Sequence, residues 1–256
     1  MMRASLVILL LLCLVLATIL FWRRDNAWLE AHAISLPREH ARQAALKRRF
    51  AGQGIRVRFF PAVDTRNGRW NRYVGYLTEK GQRALARTVR TGVRRDHAEL
   101  TPGAVGCFLS HLTLWEKLAT KNRVSLVLED DSDPIPAFQS HLRVILNHFP
   151  EDADVFLLSY QVMGTLIPVT SLPYRCFLLS RASTFFQTNC YLISPAGILK
   201  ILAYFRNVKK SRFEVQVDAF LSDMIHNGLL RVYASETPLC PQDTAFPTTI
   251  QGFEVV

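Results

Sequence analysis

The stretch Val124-Ser125-Leu126-Val127-Leu128-Glu129-Asp130-Asp131-Ser132-Asp133-Pro134 constrains this chain more than any other. Five β-favouring or apolar residues run straight into a group of carboxylates and are stopped by proline, the pattern of a strand buried on both faces. In open α/β sheets, ligands bind in the crevice beyond the carboxyl ends of the strands. Carboxylates crowded at such a place repel one another, so a cation that neutralises them lowers the cost. Mn²⁺ or Mg²⁺ takes one or two protein carboxylates together with substrate phosphates. The spacing therefore suits a metal–diphosphate site. A solvated acidic loop behind a core strand fits the same residues equally well.

With 256 residues, 49% of them hydrophobic, the chain can bury a full core as one large α/β domain. Its balance is basic, 31 Lys+Arg against 21 Asp+Glu for a formal charge of +10. Such a surface favours polyanions, whether nucleic acid, anionic lipid headgroups or phosphorylated substrates, without choosing among them. Residues 4–22 form a charge-free, largely apolar run flanked by Arg3 and by Arg23-Arg24. Roughly 20 apolar residues are what a helix needs to cross a bilayer, and a signal-peptide core is shorter. The expected division is an uncleaved transmembrane signal-anchor over residues 1–25 and one domain over 26–256. Basic residues on both sides of the run leave the orientation, and so the side of the membrane, open. The cysteines outside that run, Cys107, Cys176, Cys190 and Cys240, match no zinc or redox spacing.

Along the domain, strand-type residues at 32–36, a helix-forming run at 38–50 with Pro37 at its first position, and alternating residues at 55–60 read as a βαβ opening, which implies a parallel sheet. A helix is expected over 78–89, with Arg83, Arg87, Arg90 and Arg94 along one face. Such a stripe is either a solvated face or a contact for anionic headgroups or a charged acceptor. Thr101-Pro102 is an N-cap with proline at the first helical position. The following helix carries the apolar stripe Val105, Phe108, Leu109, Leu112, Trp115, Leu118. Further helices are expected at 137–149 and 195–204, strands at 154–160, 184–193 and 229–234, and an irregular segment at 167–183. Asp218 is placed to cap a last helix that ends at Asn227-Gly228. Alternating strands and helices argue for a three-layer α/β domain.

Six blocks, taken in order, resemble glycosyltransferase family 25, which includes lipooligosaccharide galactosyltransferases and collagen β-galactosyltransferases. They are Ile34-Ser35-Leu36-Pro37-Arg38, Phe60-Pro61-Ala62-Val63-Asp64, the run from Leu100 through Gly106-Cys107 to Ser110-His111, Val127-Leu128-Glu129-Asp130-Asp131, Thr188-Asn189-Cys190-Tyr191, and Val217-Asp218-Ala219-Phe220-Leu221. The resemblance implies a GT-A-like, Rossmann-like fold with a mostly parallel sheet. It also implies inverting transfer of a hexose, typically galactose, from a UDP-sugar to a glycan, lipooligosaccharide or glycoprotein acceptor. Carried over by position, Glu129, Asp130 and Asp131 are the acidic motif that holds the ribose and an Mn²⁺ (or Mg²⁺) diphosphate, with Glu129 and Asp131 on the metal. Leu36 and Arg38 match the loop beside the nucleotide, Ala62, Val63 and Asp64 the segment near uracil and ribose, and Ser110 and His111 the pair on the following helix. Asp218 is the expected base, a role it could combine with helix capping. The chain departs from the family at Ser35, where Asn is usual, at Glu39, where a basic residue is usual, and at Ala104, where an acidic one is common. No histidine follows His226, so Gln242 and Asp243 are the polar candidates for a C-terminal metal ligand. The alternative is a non-catalytic relative serving in adhesion or as a scaffold. A nucleic-acid binder finds no recognisable fold or aromatic platform in support.

Overall fold

The structure, a computed structural model, describes residues 30–246 and 253–255. The expected anchor over 1–25 lies outside the described residues, and among those described no helix is long and apolar enough to cross a membrane. The chain opens as expected with β1 (Glu30–Ser35), α1 (His40–Gly52) and β2 (Val57–Pro61). Helix α1 begins later than proline placement suggests. The Glu39 amide turns back onto the Leu36 carbonyl at 2.9 Å, so Pro37 and Arg38 sit in a turn.

Then follow α2 (Glu79–Thr91), β3 (Val93–Arg94), α3 (Pro102–Leu118) and β4 (Ser125–Glu129). The Thr78 and Thr101 hydroxyls each accept a backbone amide three residues on, which starts α2 and α3 where the capping rule puts them. The arginine stripe does not persist. Gly92 turns the chain with φ 73°, which carries Arg94 off the helix into a buried position, and Arg87 is paired with Glu99.

The second half comprises α4 (Phe138–Asn147), β5 (Val155–Leu157), β6 (Gln161–Met163), β7 (Leu166–Val169), β8 (Cys176–Leu179), β9 (Thr184–Phe186), β10 (Cys190–Ile193), α5 (Pro195–Ala203), α6 (Val217–His226), β11 (Val232–Ser235) and β12 (Glu254–Val255). Eight strands form one sheet in the order β2-β1-β4-β10-β5-β11-β8-β7. Strands β10 and β8 oppose the other six, so the sheet is mostly parallel with two reversed members. The segment expected to be irregular holds the antiparallel β7–β8 pair at the sheet edge. The strand expected over 184–193 is broken at Gln187, whose φ of 77° turns it out of the sheet.

Leu126 and Leu128 pack into one apolar cluster and Val127 into the other, and β10 alternates likewise, with Leu192 on one face and Tyr191 and Ile193 on the opposite one. Central strands thus bury both faces, and the domain has three layers. On one face α3 packs against α5 and α6, with the Phe108 and Phe213 rings stacked 3.9 Å apart. The consequence for the site is one of register. Ser35 pairs with Pro61, and Glu129 with Ile34, so the carboxyl ends of β1, β2 and β4 finish side by side.

Candidate functional site

At that common edge a small cavity of about 70 Å³ is lined by Leu36, Ala62, Val63, Asp64, Ser110, Glu129, Asp130 and Asp131, with Arg42 and Gly106 among its walls. Helix α3 forms the floor. A Cβ on Gly106 would lie 2.6 Å from both the Thr65 hydroxyl and the Val63 carbonyl, so only glycine lets the helix come this close to the loop after β2. One turn on, the Ser110 hydroxyl accepts the Val63 amide at 2.8 Å and donates to the Gly106 carbonyl at 2.6 Å. Ser110 therefore fixes the loop that carries Val63 and Asp64.

Asp64 collects cations. Arg38 grips both of its oxygens, and Arg66 and Arg69 approach at 3.4 and 3.0 Å. Arg38 thereby reaches the site through Asp64 rather than by lining the cavity. Ser35, which stands where asparagine is usual, donates to Asp130 at 2.7 Å and is itself held by Gln43 at 3.1 Å. Glu39 lies 3.4 Å from Arg66.

His111 lies behind Glu129 and is wholly buried. Trp115 Nε1 donates to the Tyr191 hydroxyl at 2.9 Å, and that hydroxyl lies 2.9 Å from His111 Nδ1. With the indole N–H on its oxygen, Tyr191 can donate its own proton to Nδ1. His111 Nε2, on the other side of the ring, lies 3.2 Å from Glu129 Oε1. Thr188 donates to the same oxygen at 2.8 Å. Burial pulls the Glu129 carboxyl upward, yet the hydrogen bond and charge of His111, the Thr188 hydrogen bond and the Arg42 charge together outweigh it and leave the group below its ordinary value.

Arg42, buried in α1, bridges the other two carboxylates, with Nε 2.7 Å from Asp130 and a terminal nitrogen 3.1 Å from Asp131. Asp130 is raised, chiefly by burial. Asp131, only 6% exposed, is pushed up to about 7 by burial and then by the Glu129 charge. Gln242 donates to its Oδ2 at 2.8 Å, and Oδ1 is buried with no partner. The segment around Gln242 is stitched over this loop, since the Asp243 amide binds the Asp131 carbonyl at 2.6 Å and the Asp133 amide the Pro241 carbonyl at 2.8 Å.

Asp218 stands apart, in a neighbouring cleft that shares Glu129 and Cys107 with the cavity. Gln216 is the N-cap position of α6 and makes no side-chain cap bond, so Asp218 is not the cap expected of it. Its carboxylate instead accepts the Gln187 amide at 3.3 Å and the Ala219 amide at 2.8 Å. Burial raises it, with the Glu129 charge adding to the effect.

The fold thus gathers Leu36, Ala62, Val63, Asp64, Ser110, Glu129, Asp130 and Asp131 at one cavity, places His111 behind Glu129, and sets Asp218 next door. Sequence reasoning missed Arg42, Thr188, Tyr191 and Trp115. Arg42 carries no local mark that separates it from Arg48 and Arg49 on the same helix.

Comparison with known proteins defines the class as a protein family. The family model described as "Glycosyltransferase family 25 (LPS biosynthesis protein)" matches residues 29–221, and the chain belongs to that family. A Drosophila melanogaster protein named "Glycosyltransferase 25 family member" is 31% identical over 173 residues, 66% of this chain and 27% of its own length. "Procollagen galactosyltransferase 1" of Danio rerio is 29% identical over 143 residues, 54% of this chain and 23% of its own. A Bos taurus relative, 28% identical over 203 residues (76% of this chain, 31% of its own), is named "Probable inactive glycosyltransferase 25 family member 3". The chain spans about a quarter to a third of the length of these relatives.

Proposed function

We propose that the protein is an inverting, metal-dependent glycosyltransferase that moves a hexose, galactose by preference, from a UDP-sugar to a hydroxyl of a glycan, lipooligosaccharide or glycoprotein acceptor. One observation carries the reading: a buried Asp131 oxygen without a partner stands at the end of a strand whose other carboxylates are all held. A buried acceptor left unpaired is costly, and a ligand cation removes that cost. The donor set fits Mn²⁺ or Mg²⁺, because Asp131 and Glu129 offer hard oxygen atoms and the remaining positions suit phosphate oxygens and water. When bound there, the ion supplies positive charge to the diphosphate leaving group.

The chain's own residues account for the rest. Ser110 fixes the Val63–Asp64 loop against which the nucleoside lies. His111 and Thr188 hold Glu129 ionised and in place. Asp218 takes the proton of the acceptor hydroxyl as its oxygen forms a bond to the anomeric carbon. The bond from that carbon to the UDP oxygen breaks, and UDP leaves with the electron pair. A carboxylate raised by burial is a better base for this than an exposed one. Residues 1–25 are proposed as a single-pass membrane anchor on the strength of their apolar run, with no nucleic acid as partner. The scaffold alternative has the inactive bovine relative in its favour, but it leaves the Asp131 orphan without an explanation.

The test is UDP release from UDP-galactose, UDP-glucose and UDP-N-acetylglucosamine, with and without Mn²⁺. The expected result is metal-dependent turnover of one donor, abolished by Asp131→Ala. Equal turnover by that variant, or by the metal-free protein, overturns the reading.

A further inference from the structure

The cleft that holds Asp218 measures about 650 Å³, the size of a small-molecule site. Its outer wall is made by the paired strands β6 and β9, which contribute Val162 and Phe186. The residues lining it include two carboxylates, Glu129 and Asp218, and neither Lys nor Arg. That is the reverse of what a formal charge of +10 suggests for a partner. The arginines gather instead about Asp64, on the donor side. A phosphate or carboxylate placed beside Asp218 would face like charge with no Lys or Arg in the lining to offset it.

Most of the remaining polar lining is amide. Gln216 is committed to the fold, donating to the His97 and Glu99 carbonyls at 2.7 and 3.0 Å. Asn189 is different. Its Nδ2 donates to the Cys240 carbonyl at 3.1 Å, which fixes the orientation of the amide, and its Oδ1 is then a buried acceptor without a donor. Gln161 and Gln187 stand nearby in the same wall. Next to them is the Phe186 ring, set edge-on to His97 with centroids 6.0 Å apart. An apolar ring beside several amides matches a sugar, which presents a C–H face and a rim of hydroxyls that donate and accept.

We propose that this cleft is the acceptor site and that it selects an uncharged sugar, with Phe186 under the apolar face of the ring and Asn189 accepting a hydroxyl proton. Phosphorylated and carboxylated acceptors are excluded. The proposal rests on the transferase reading, so the experiment separates the two. Calorimetry with UDP and Mn²⁺ tests the transferase reading alone. Saturation-transfer NMR on the UDP–Mn²⁺-loaded protein then measures binding of lactose, cellobiose, glucose 6-phosphate and glucuronic acid, whichever donor the enzyme uses. A neutral disaccharide binds saturably and the two charged sugars do not. Phe186→Ala weakens the disaccharide by about tenfold, the loss of one ring contact, and Phe186→Tyr retains it. Gln161→Lys, which supplies the missing cation, admits glucose 6-phosphate. The proposal is overturned if the charged sugars bind as well as the neutral ones, if a protein that binds UDP holds neither disaccharide, or if Phe186→Ala leaves disaccharide affinity unchanged.

Discussion

Replacing Arg42 with methionine isolates the electrostatics of the acidic strand end. The side chain is 5% exposed and reaches Asp130 at 2.7 Å and Asp131 at 3.1 Å. Removing one partner of a buried ion pair costs about 3–5 kcal/mol, because the charge left behind stays desolvated. Here Ser35 and Gln242 continue to donate to the two carboxylates, which places Arg42→Met near the lower bound, about 3 kcal/mol at pH 8. For a domain of this size about 1 kcal/mol moves Tm by about 2–4 °C, so the expected drop is about 6–12 °C. The pH dependence has a definite sign. Asp131 titrates at about 7 in the folded protein, against an ordinary 3.8. Between those values the folded state holds a proton that the unfolded chain has released, so this group removes stability as pH rises through the window. Loss of Arg42 widens the window upward. At pH 5 the variant should therefore lose less than half as much as at pH 8. The assay is thermal unfolding by circular dichroism in metal-free buffer at both values. An equal drop at pH 5 and pH 8, or no drop at either, refutes the placement of Arg42 as counter-ion to two buried carboxylates.

Asp218→Asn should reduce turnover by about 100- to 10,000-fold, the usual worth of a general base, while UDP affinity by calorimetry moves less than turnover does. A comparable loss of UDP affinity would assign Asp218 to the donor instead. Gly106→Ala forces a Cβ to 2.6 Å from the Thr65 hydroxyl and the Val63 carbonyl. It should cost about 1–3 kcal/mol of stability and weaken UDP binding, and unchanged UDP affinity would separate α3 from the donor site. Tyr191→Phe deprives Trp115 and His111 of their shared partner. It should destabilise by about 1–3 kcal/mol and raise the KM for donor through a less firmly held Glu129. An unaltered melting curve would mean that the chain of hydrogen bonds is not formed.

The parts of the fold legible in the sequence are those written locally. Thr78 and Thr101 mark helix starts through a hydroxyl three residues from its donor, and the apolar run 125–128 followed by acid is a strand whatever surrounds it. The anticipated cavity residues Leu36, Val63, Ser110, Glu129 and Asp131 come together because β1, β2 and β4 are parallel and in register. What stayed hidden depends on long-range pairing. Strand β7 contains Pro168, which a strand tolerates only at an edge, and its edge position is decided by its pairing with β8. The break at Gln187 is a backbone angle that its residue type does not announce. Asp218 is not the cap its position suggested, because Gln216 takes the N-cap position and the Asp218 carboxylate accepts the Gln187 and Ala219 amides. Arg42 and Gln242 meet Asp131 across 89 and 111 positions of sequence, and no local pattern connects them.

The most direct test of the central claim is calorimetric titration of UDP into the protein with and without Mn²⁺, repeated on Asp131→Asn. We predict that Mn²⁺ tightens UDP binding by about tenfold or more, about 1.4 kcal/mol, and that the substitution abolishes this gain while the protein stays folded. UDP binding of equal strength in all four titrations, or none at all by the folded parent protein, would contradict the assignment of the acidic strand end as a metal–diphosphate site.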